Sequence, residues 1–190
     1  MRAFVAVDAT SSALVALQSE MMSSSGWSPR DVKPVEPGNF HFTLIFLGEA
    51  GEHQQVDRVK DRLAAVRFAP FTITYTGVGA FPSPRNARVV WVGVDSEGAA
   101  KLGALAVQVV SKMSEVGFRP DKPFSPHLTL FRAKNRHVRV NTEKYAGKTF
   151  GTDTVNKIHL KKSDLGPSGP VYSNIHTVIA EGEEKEEQQQ

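Results

Sequence analysis

One pattern, a histidine followed by an apolar residue, a threonine and a leucine, occurs twice in the 190-residue chain: His41-Phe42-Thr43-Leu44 and His127-Leu128-Thr129-Leu130. The copies lie 86 residues apart, one in each half of the sequence. Both sit in apolar, β-favouring runs, NFHFTLIFL at 39–47 and SPHLTLF at 125–131. A strand sends residues i and i+2 to one face and i+1 and i+3 to the other. His41 and Thr43 therefore share a face while Phe42 and Leu44 bury opposite; His127 and Thr129 do the same against Leu128 and Leu130. An imidazole and a hydroxyl are presented side by side on a rigid element, twice. The comparable placement predicts two similar lobes related by a pseudo-twofold axis, with a cleft between them.

The rest of the pattern supplies material for such lobes. Strands are predicted at 2–8, 40–47, 71–75, 87–94, 127–131, 155–160 and 171–180. Within them, Val89-Val90-Trp91-Val92 reads as buried on both faces, which places Trp91 in the core. Three helices interleave. Leu14, Leu17 and Met21 follow the capping candidates Thr10 and Ser11. Val56, Val59, Leu63 and Val66 form a second stripe, and Leu102, Leu105, Val109, Met113 and Val116 a third behind Ser96 as N-cap. Gly- and Pro-rich punctuation falls at 26–38, 77–86, 117–126 and 166–170, none of it a long flexible linker. This order predicts an α+β fold: bilobal, with two mostly antiparallel sheets and flanking helices. Residues 1–180 are expected to form a single integrated domain.

Charge and composition narrow the function classes. The last ten residues carry five Glu and one Lys, so the body to Ala180 has a net charge of +7 against +3 for the whole chain. A basic body suits a polyanionic partner. The tail, 181–190, has no apolar residue to bury and is expected to be disordered. The absence of cysteine excludes disulfides, thiolate catalysis and cysteine-ligated metals. No apolar run approaches the roughly 20 residues that span a bilayer. The opening MRAFVAVD reads as a strand rather than a secretory signal. A cytoplasmic protein is expected. Phosphate-loop, dinucleotide and zinc signatures are missing, so neither a metal nor an organic cofactor is expected.

What remains is acid–base chemistry. Two imidazoles across a cleft supply a proton acceptor and a proton donor near neutral pH, and Thr43 and Thr129 can donate hydrogen bonds to phosphate oxygens. His53, His137, His159 and His176 have no following Thr-Leu and read as structural or solvent-facing. Arg132, five residues after His127, falls on the opposite strand parity and reaches the same anion only if the strand bends or ends there. Trp27 and Phe81 are candidates for stacking on bases, and Arg85 and Arg88 for contact with RNA phosphates.

With these motifs located, the chain resembles the two-histidine phosphoesterase superfamily. More closely, it resembles the RNA 2′,3′-cyclic phosphodiesterases of bacteria and archaea, also called 2′–5′ RNA ligase-like proteins. The resemblance runs to about Ala180 and rests on MRAFVAVD at 1–8, NFHFTLIFLG at 39–48, GVGAFP at 77–82, RVVWVGV at 88–94, PHLTLFR at 126–132, LKKS at 160–163 and GPVY at 169–172. Phe40 stands where such sequences usually have Leu, and Phe131 where Ala is common. The resemblance implies a bilobal α+β fold and metal-independent opening of a 2′,3′-cyclic phosphate at an RNA 3′ end, leaving a 2′-phosphate. It also implies that His41 is the proton donor, His127 the proton acceptor, and Thr43 and Thr129 donors to the phosphate. RNA carrying such an end, including tRNA halves, is the implied partner, and a monomer is expected. Two alternatives stay open at this point: a 2′–5′ RNA ligase acting on tRNA halves, and a non-catalytic RNA-end binding module.

Overall fold

The computed structural model describes residues 1–51, 53–167 and 169–182. Most of the acidic tail, 183–190, lies outside them. Among the described residues, nine strands form two sheets. One has the order β3-β1-β8-β9, built from β1 (Arg2–Asp8), β3 (His41–Glu49), β8 (Lys157–Gly166) and β9 (Gly169–Ile179). The other has the order β2-β6-β5-β4-β7, from β2 (Val32–Pro34), β4 (Phe71–Ser83), β5 (Asn86–Val94), β6 (Leu128–Ala133) and β7 (Thr149–Val155). Every neighbouring pair is antiparallel. Helices α1 (Ser12–Ser24), α2 (His53–Leu63) and α3 (Ser96–Ser114) complete the α+β, two-lobed arrangement.

Alternation along β1 decides which way the first sheet faces. Ala3, Val5 and Val7 belong to one continuous apolar core, together with Leu14, Leu17 and Met21 of α1 and Leu102, Leu105 and Val109 of α3. Phe4, Ala6 and Asp8 face away from that core. The core also joins the sheets: the rings of Phe42 and Tyr75 stack at 6.2 Å with only 5° between their planes. Tyr75 donates its hydroxyl to Asp153 at 2.6 Å. The same carboxylate accepts from the Thr10 and Ser11 backbone N–H groups at the start of α1, each at 3.0 Å. Burial, reinforced by the Asp153 bond and charge, raises the Tyr75 pKa and keeps the hydroxyl protonated.

Several boundaries differ from the sequence reading. The short edge strand β2 and the strand β7 were not anticipated, because VKP and TFGTDTV lack a sustained apolar alternation. The run expected at 155–160 is split by Asn156 into the end of β7 and the start of β8. Residues 77–86 were read as a loop, yet β4 continues to Ser83 and turns at Pro84-Arg85. A glycine there makes room for a neighbour: a Cβ on Gly79 would lie 2.1 Å from the indole of Trp91, its cross-strand partner. Ser11 caps α1 as expected, but Asp95 rather than Ser96 caps α3, accepting from the Gly98 N–H at 3.2 Å.

Both motif strands contain a β-bulge at the same place. Val5 opposes Ile45 and Ala6 opposes Thr43, leaving Leu44 as the extra residue. Val90 opposes Phe131 and Trp91 opposes Thr129, leaving Leu130 extra. The Leu130 carbonyl, displaced from the β5 ladder, accepts from the Val35 N–H at 2.9 Å and from Gln18 Nε2 at 2.8 Å. The same amide nitrogen donates to the Val35 carbonyl at 3.0 Å. Gln18, buried on the apolar side of α1, therefore braces the second bulge. Gln18→Met removes both bonds while keeping the volume, and should lower unfolding free energy by about 1–3 kcal/mol, the cost of unsatisfied buried carbonyls. Urea unfolding with an unchanged slope measures it; a variant as stable as the parent would show that the amide does not brace the bulge.

Candidate active site

The bulges determine which side chains enter the space between the sheets. In β6, Leu130 and Phe131 are consecutive and both fully buried. The extra residue resets the alternation, so Arg132 emerges on the same side as Thr129. The parity objection to Arg132 is removed by the bend that sequence reasoning named as its condition. In β3, Leu44 and Ile45 are likewise both buried and the next residue, Phe46, is exposed. Phe46 and Arg132 are equivalent positions in the two lobes, and they differ in chemistry.

A cavity of about 320 Å³ lies between the sheets. His41, Thr129 and Arg132 line it with Lys33, Asn39 and Tyr172. The structure therefore brings together the histidine of one motif, the threonine of the other and the arginine. Thr43 and His127 are not among its lining residues; they share the strand faces of His41 and Thr129, two residues along. Neither threonine hydroxyl has a hydrogen-bond partner among the described residues. Lys33 stands directly opposite Arg132 in the β2–β6 pairing, which puts two cations on one wall.

The histidines are held in the same way. His41 Nδ1 lies 2.7 Å from the carbonyl oxygen of Asn39, and His127 Nδ1 lies 2.8 Å from that of Ser125. In both cases the acceptor is the residue two positions back. A carbonyl only accepts, so each Nδ1 donates its N–H and Nε2 is the nitrogen left for a reacting group. Each ring is also wedged between two aromatics. His41 meets Phe4 at 5.0 Å and Tyr172 edge-on at 5.4 Å, and His127 meets Phe81 edge-on at 5.0 Å and Trp91 at 6.2 Å.

Their electrostatic surroundings are not the same. Burial pushes the His41 pKa below the ordinary histidine value. The Asn39 hydrogen bond and the Asp8 carboxylate oppose that lowering, while the Lys161 and Arg132 cations add to it.

The expected placement of Trp91 is corrected, and Trp27, Arg85 and Arg88 lie outside the cavity lining. Val90 and Val92 are fully buried, but Val89 and Trp91 turn to the other face, so this run is not buried on both sides. Trp91 belongs to the wall behind His127 rather than to the core. Trp27 packs edge-on against Phe131 and donates its indole N–H to the Arg139 carbonyl at 3.2 Å, a structural role. Arg88 donates to His137 at 2.7 Å, and neither Arg85 nor Arg88 lines the cavity. Sequence reasoning missed Lys33, Gln18, Asp8 and Lys161. The available signal was a polar residue inside an apolar stripe, as with Gln18 between Leu14, Leu17 and Met21, or Lys161 after Leu160.

A family model described as LigT like phosphoesterase matches the chain twice, over residues 6–91 and 92–172, one match for each histidine motif. The RNA 2′,3′-cyclic phosphodiesterase of Archaeoglobus fulgidus is 45% identical over 177 residues, covering 92% of this chain and 98% of its own. That of Aeropyrum pernix is 40% identical over 154 residues, covering 78% of this chain and 86% of its own. The crystal structure of TT0787 of Thermus thermophilus superposes with a TM-score of 0.76 at 32% identity, over 94% of this chain and 97% of that one. The doubled motif, the doubled match and the near full-length relatives agree, and the chain belongs to the LigT like phosphoesterase family.

Proposed function

We propose that this protein hydrolyses 2′,3′-cyclic phosphate ends of RNA to 2′-phosphates by acid–base catalysis between His41 and His127, with residues 1–180 acting as one catalytic unit. The observation that carries this reading is the matched pair of imidazoles, each with Nδ1 tied to its own chain and Nε2 left for a reacting group. The names of the relatives support the same substrate. Among the described residues no three metal-binding side chains gather as a ligand set, and no step here is routed through a metal. Nor is any helix among them long and apolar enough to cross a membrane. Both motifs belong to one chain, and a monomer is the proposed working unit. Cytoplasmic RNA fragments with cyclic ends, tRNA halves among them, are the proposed substrates.

The roles follow from balance at phosphorus. His127 Nε2 takes a proton from water as the water oxygen attacks the phosphorus of the ring. The bond from phosphorus to the 3′ oxygen breaks, and His41 Nε2–H delivers a proton to that oxygen, leaving the phosphate on the 2′ oxygen. Thr43 and Thr129 donate to the non-bridging oxygens, where charge gathers in the transition state. Arg132 neutralises the same oxygens or stacks its plane beside the nucleotide. Burial favours neutral His41 in the empty cleft, and an arriving phosphate anion favours its imidazolium. The donor state is therefore completed by the substrate.

Incubation of an oligonucleotide bearing a 2′,3′-cyclic phosphate, in EDTA, should yield the 2′-phosphate. His41→Ala and His127→Ala should each lose about 10²–10⁴-fold in rate with the fold intact, and His53→Ala on α2 should be silent. Near wild-type turnover in either motif variant rejects the site.

The rate should be bell-shaped in pH, because one histidine must be neutral and the other protonated. The limbs belong to the pair rather than to either ring, but the optimum moves with the His41 pKa. That pKa is lowered in the free protein, so the kcat/KM profile should be centred at lower pH than the kcat profile. Coincident profiles would contradict the idea that substrate restores the His41 proton.

A leaving group far better than a ribose oxygen separates the roles. With it, His41→Ala should regain much of its lost rate and His127→Ala should not. Rescue of the His127 variant instead reverses the assignment.

A further inference from the structure

Beside His41, on the same face of its sheet, lies a half-buried ion pair that the proposed chemistry does not use. Lys161, on β8, is only 5% exposed. Its ammonium lies 2.9 and 3.0 Å from the two carboxylate oxygens of Asp8 and donates to the Asn174 side-chain carbonyl at 2.7 Å. Asp8 is the direct cross-strand partner of His41, and Lys161 is that of Phe4, whose ring lies against His41. Partners directly opposite in an antiparallel pair share a face, so Asp8, Lys161, Phe4 and His41 all lie on the cleft side of this sheet.

A pair in this place is not what stability alone would select. Withdrawing an ammonium from water is costly, and packed apolar residues usually serve a protein interior at least as well. The apolar alternative is at hand, since Phe4, Leu160 and Ile158 are all buried nearby. What a pair with a buried ammonium does provide is a fixed charge near the ring that water screens less than it would at the open surface.

We propose that Asp8 and Lys161, steadied by Asn174, are positioning residues that set the protonation balance of His41 from beside it. This rests on the reading of His41 as proton donor. The groups facing His41 can be named from every element around it. They are Asp8 on β1, Lys161 and, beside Asp8, His159 on β8, Tyr172 on β9, Arg132 on β6, Lys33 on β2, and Glu36 on the following turn. Arg132 and Lys33 favour the neutral imidazole and Glu36 the charged one, all from the substrate side. The Asp8–Lys161 pair acts along the face of the sheet that His41 shares, from residues that do not line the cavity. With Asp8 removed, the Lys161 charge stands uncompensated and disfavours the imidazolium. With Lys161 removed, the Asp8 carboxylate favours it.

The test is an NMR titration of the His41 ring in the free protein, alongside the pH profile of kcat/KM. Asp8→Asn should move the His41 midpoint and the centre of the profile to lower pH, reducing kcat/KM at the wild-type optimum several-fold. Lys161→Met should move both to higher pH, and the double variant should return near the parent. A role confined to stability would lower the melting temperature without opposite displacements of the titration. If a single variant does not fold, Asn174→Asp adds a carboxylate at the ammonium without removing a partner, and should raise the midpoint. Midpoints unmoved, or moved in one direction by both charge removals, overturn the proposal. The two failures are separable: an active His41→Ala protein rejects the donor reading, whereas an inactive one with unmoved midpoints rejects only the role of the pair.

Discussion

A strand alternates its side chains without exception unless a residue is inserted, and the cleft depends on one such insertion in each lobe. Leu44 and Leu130 are the extra residues. Without them, the fifth residue after each histidine would point into the core. With them, two consecutive apolar side chains bury and the next residue returns to the cleft. The device is identical in the two lobes, but its product is not. One lobe brings Arg132 to the cavity, while the other leaves Phe46 exposed outside the cavity lining, its ring 6.0 Å from that of Phe4. A symmetrical scaffold thereby acquires a cationic position in one lobe and an aromatic one in the other.

The same logic of equal frames and unequal surroundings governs the histidines. Both imidazoles are tied at Nδ1 to a carbonyl two residues back, so the chain fixes tautomer and ring direction before any ligand arrives. Identical tethers cannot by themselves produce the proposed division into acid and base. Such a division has to come from what surrounds each ring, and there the lobes diverge. Phe4, Tyr172 and a half-buried ion pair lie about His41, whereas Phe81 and Trp91 flank His127 without an ion pair of that kind among the described contacts.

Much of this was legible from residue order. The doubled His-x-Thr-Leu named both histidines and both threonines and placed each pair on one strand face, because period-two alternation is local and needs no knowledge of the fold. The lobes followed from the doubling. The bulges were not legible: Thr-Leu-Ile-Phe and Thr-Leu-Phe-Arg contain nothing that distinguishes a regular strand from one with an extra residue. That is fixed by the register of β1 and β5, far away in sequence, and by the Gln18 amide on α1. Trp91 was misplaced for a related reason. VVWV is apolar on both parities, and only the glycine opposite it, Gly79, reveals that the indole lies flat over a neighbouring strand on the cleft side. Lys33 and Asp8 lie on a short edge strand and at a strand end, where a charged residue carries no periodic signal.

In the proposed mechanism the binding of an anion and the supply of a proton are one event. Lys33 and Arg132 stand opposite each other on β2 and β6 and line the same cavity as His41, with Glu36 beside them. Burial, with the Arg132 and Lys161 cations, disfavours the imidazolium of His41. A phosphodiester in that cavity would place negative charge between Arg132 and the ring, and so would favour the imidazolium that the donor role needs. The ligand whose ring is to be opened would thereby complete the acid that opens it.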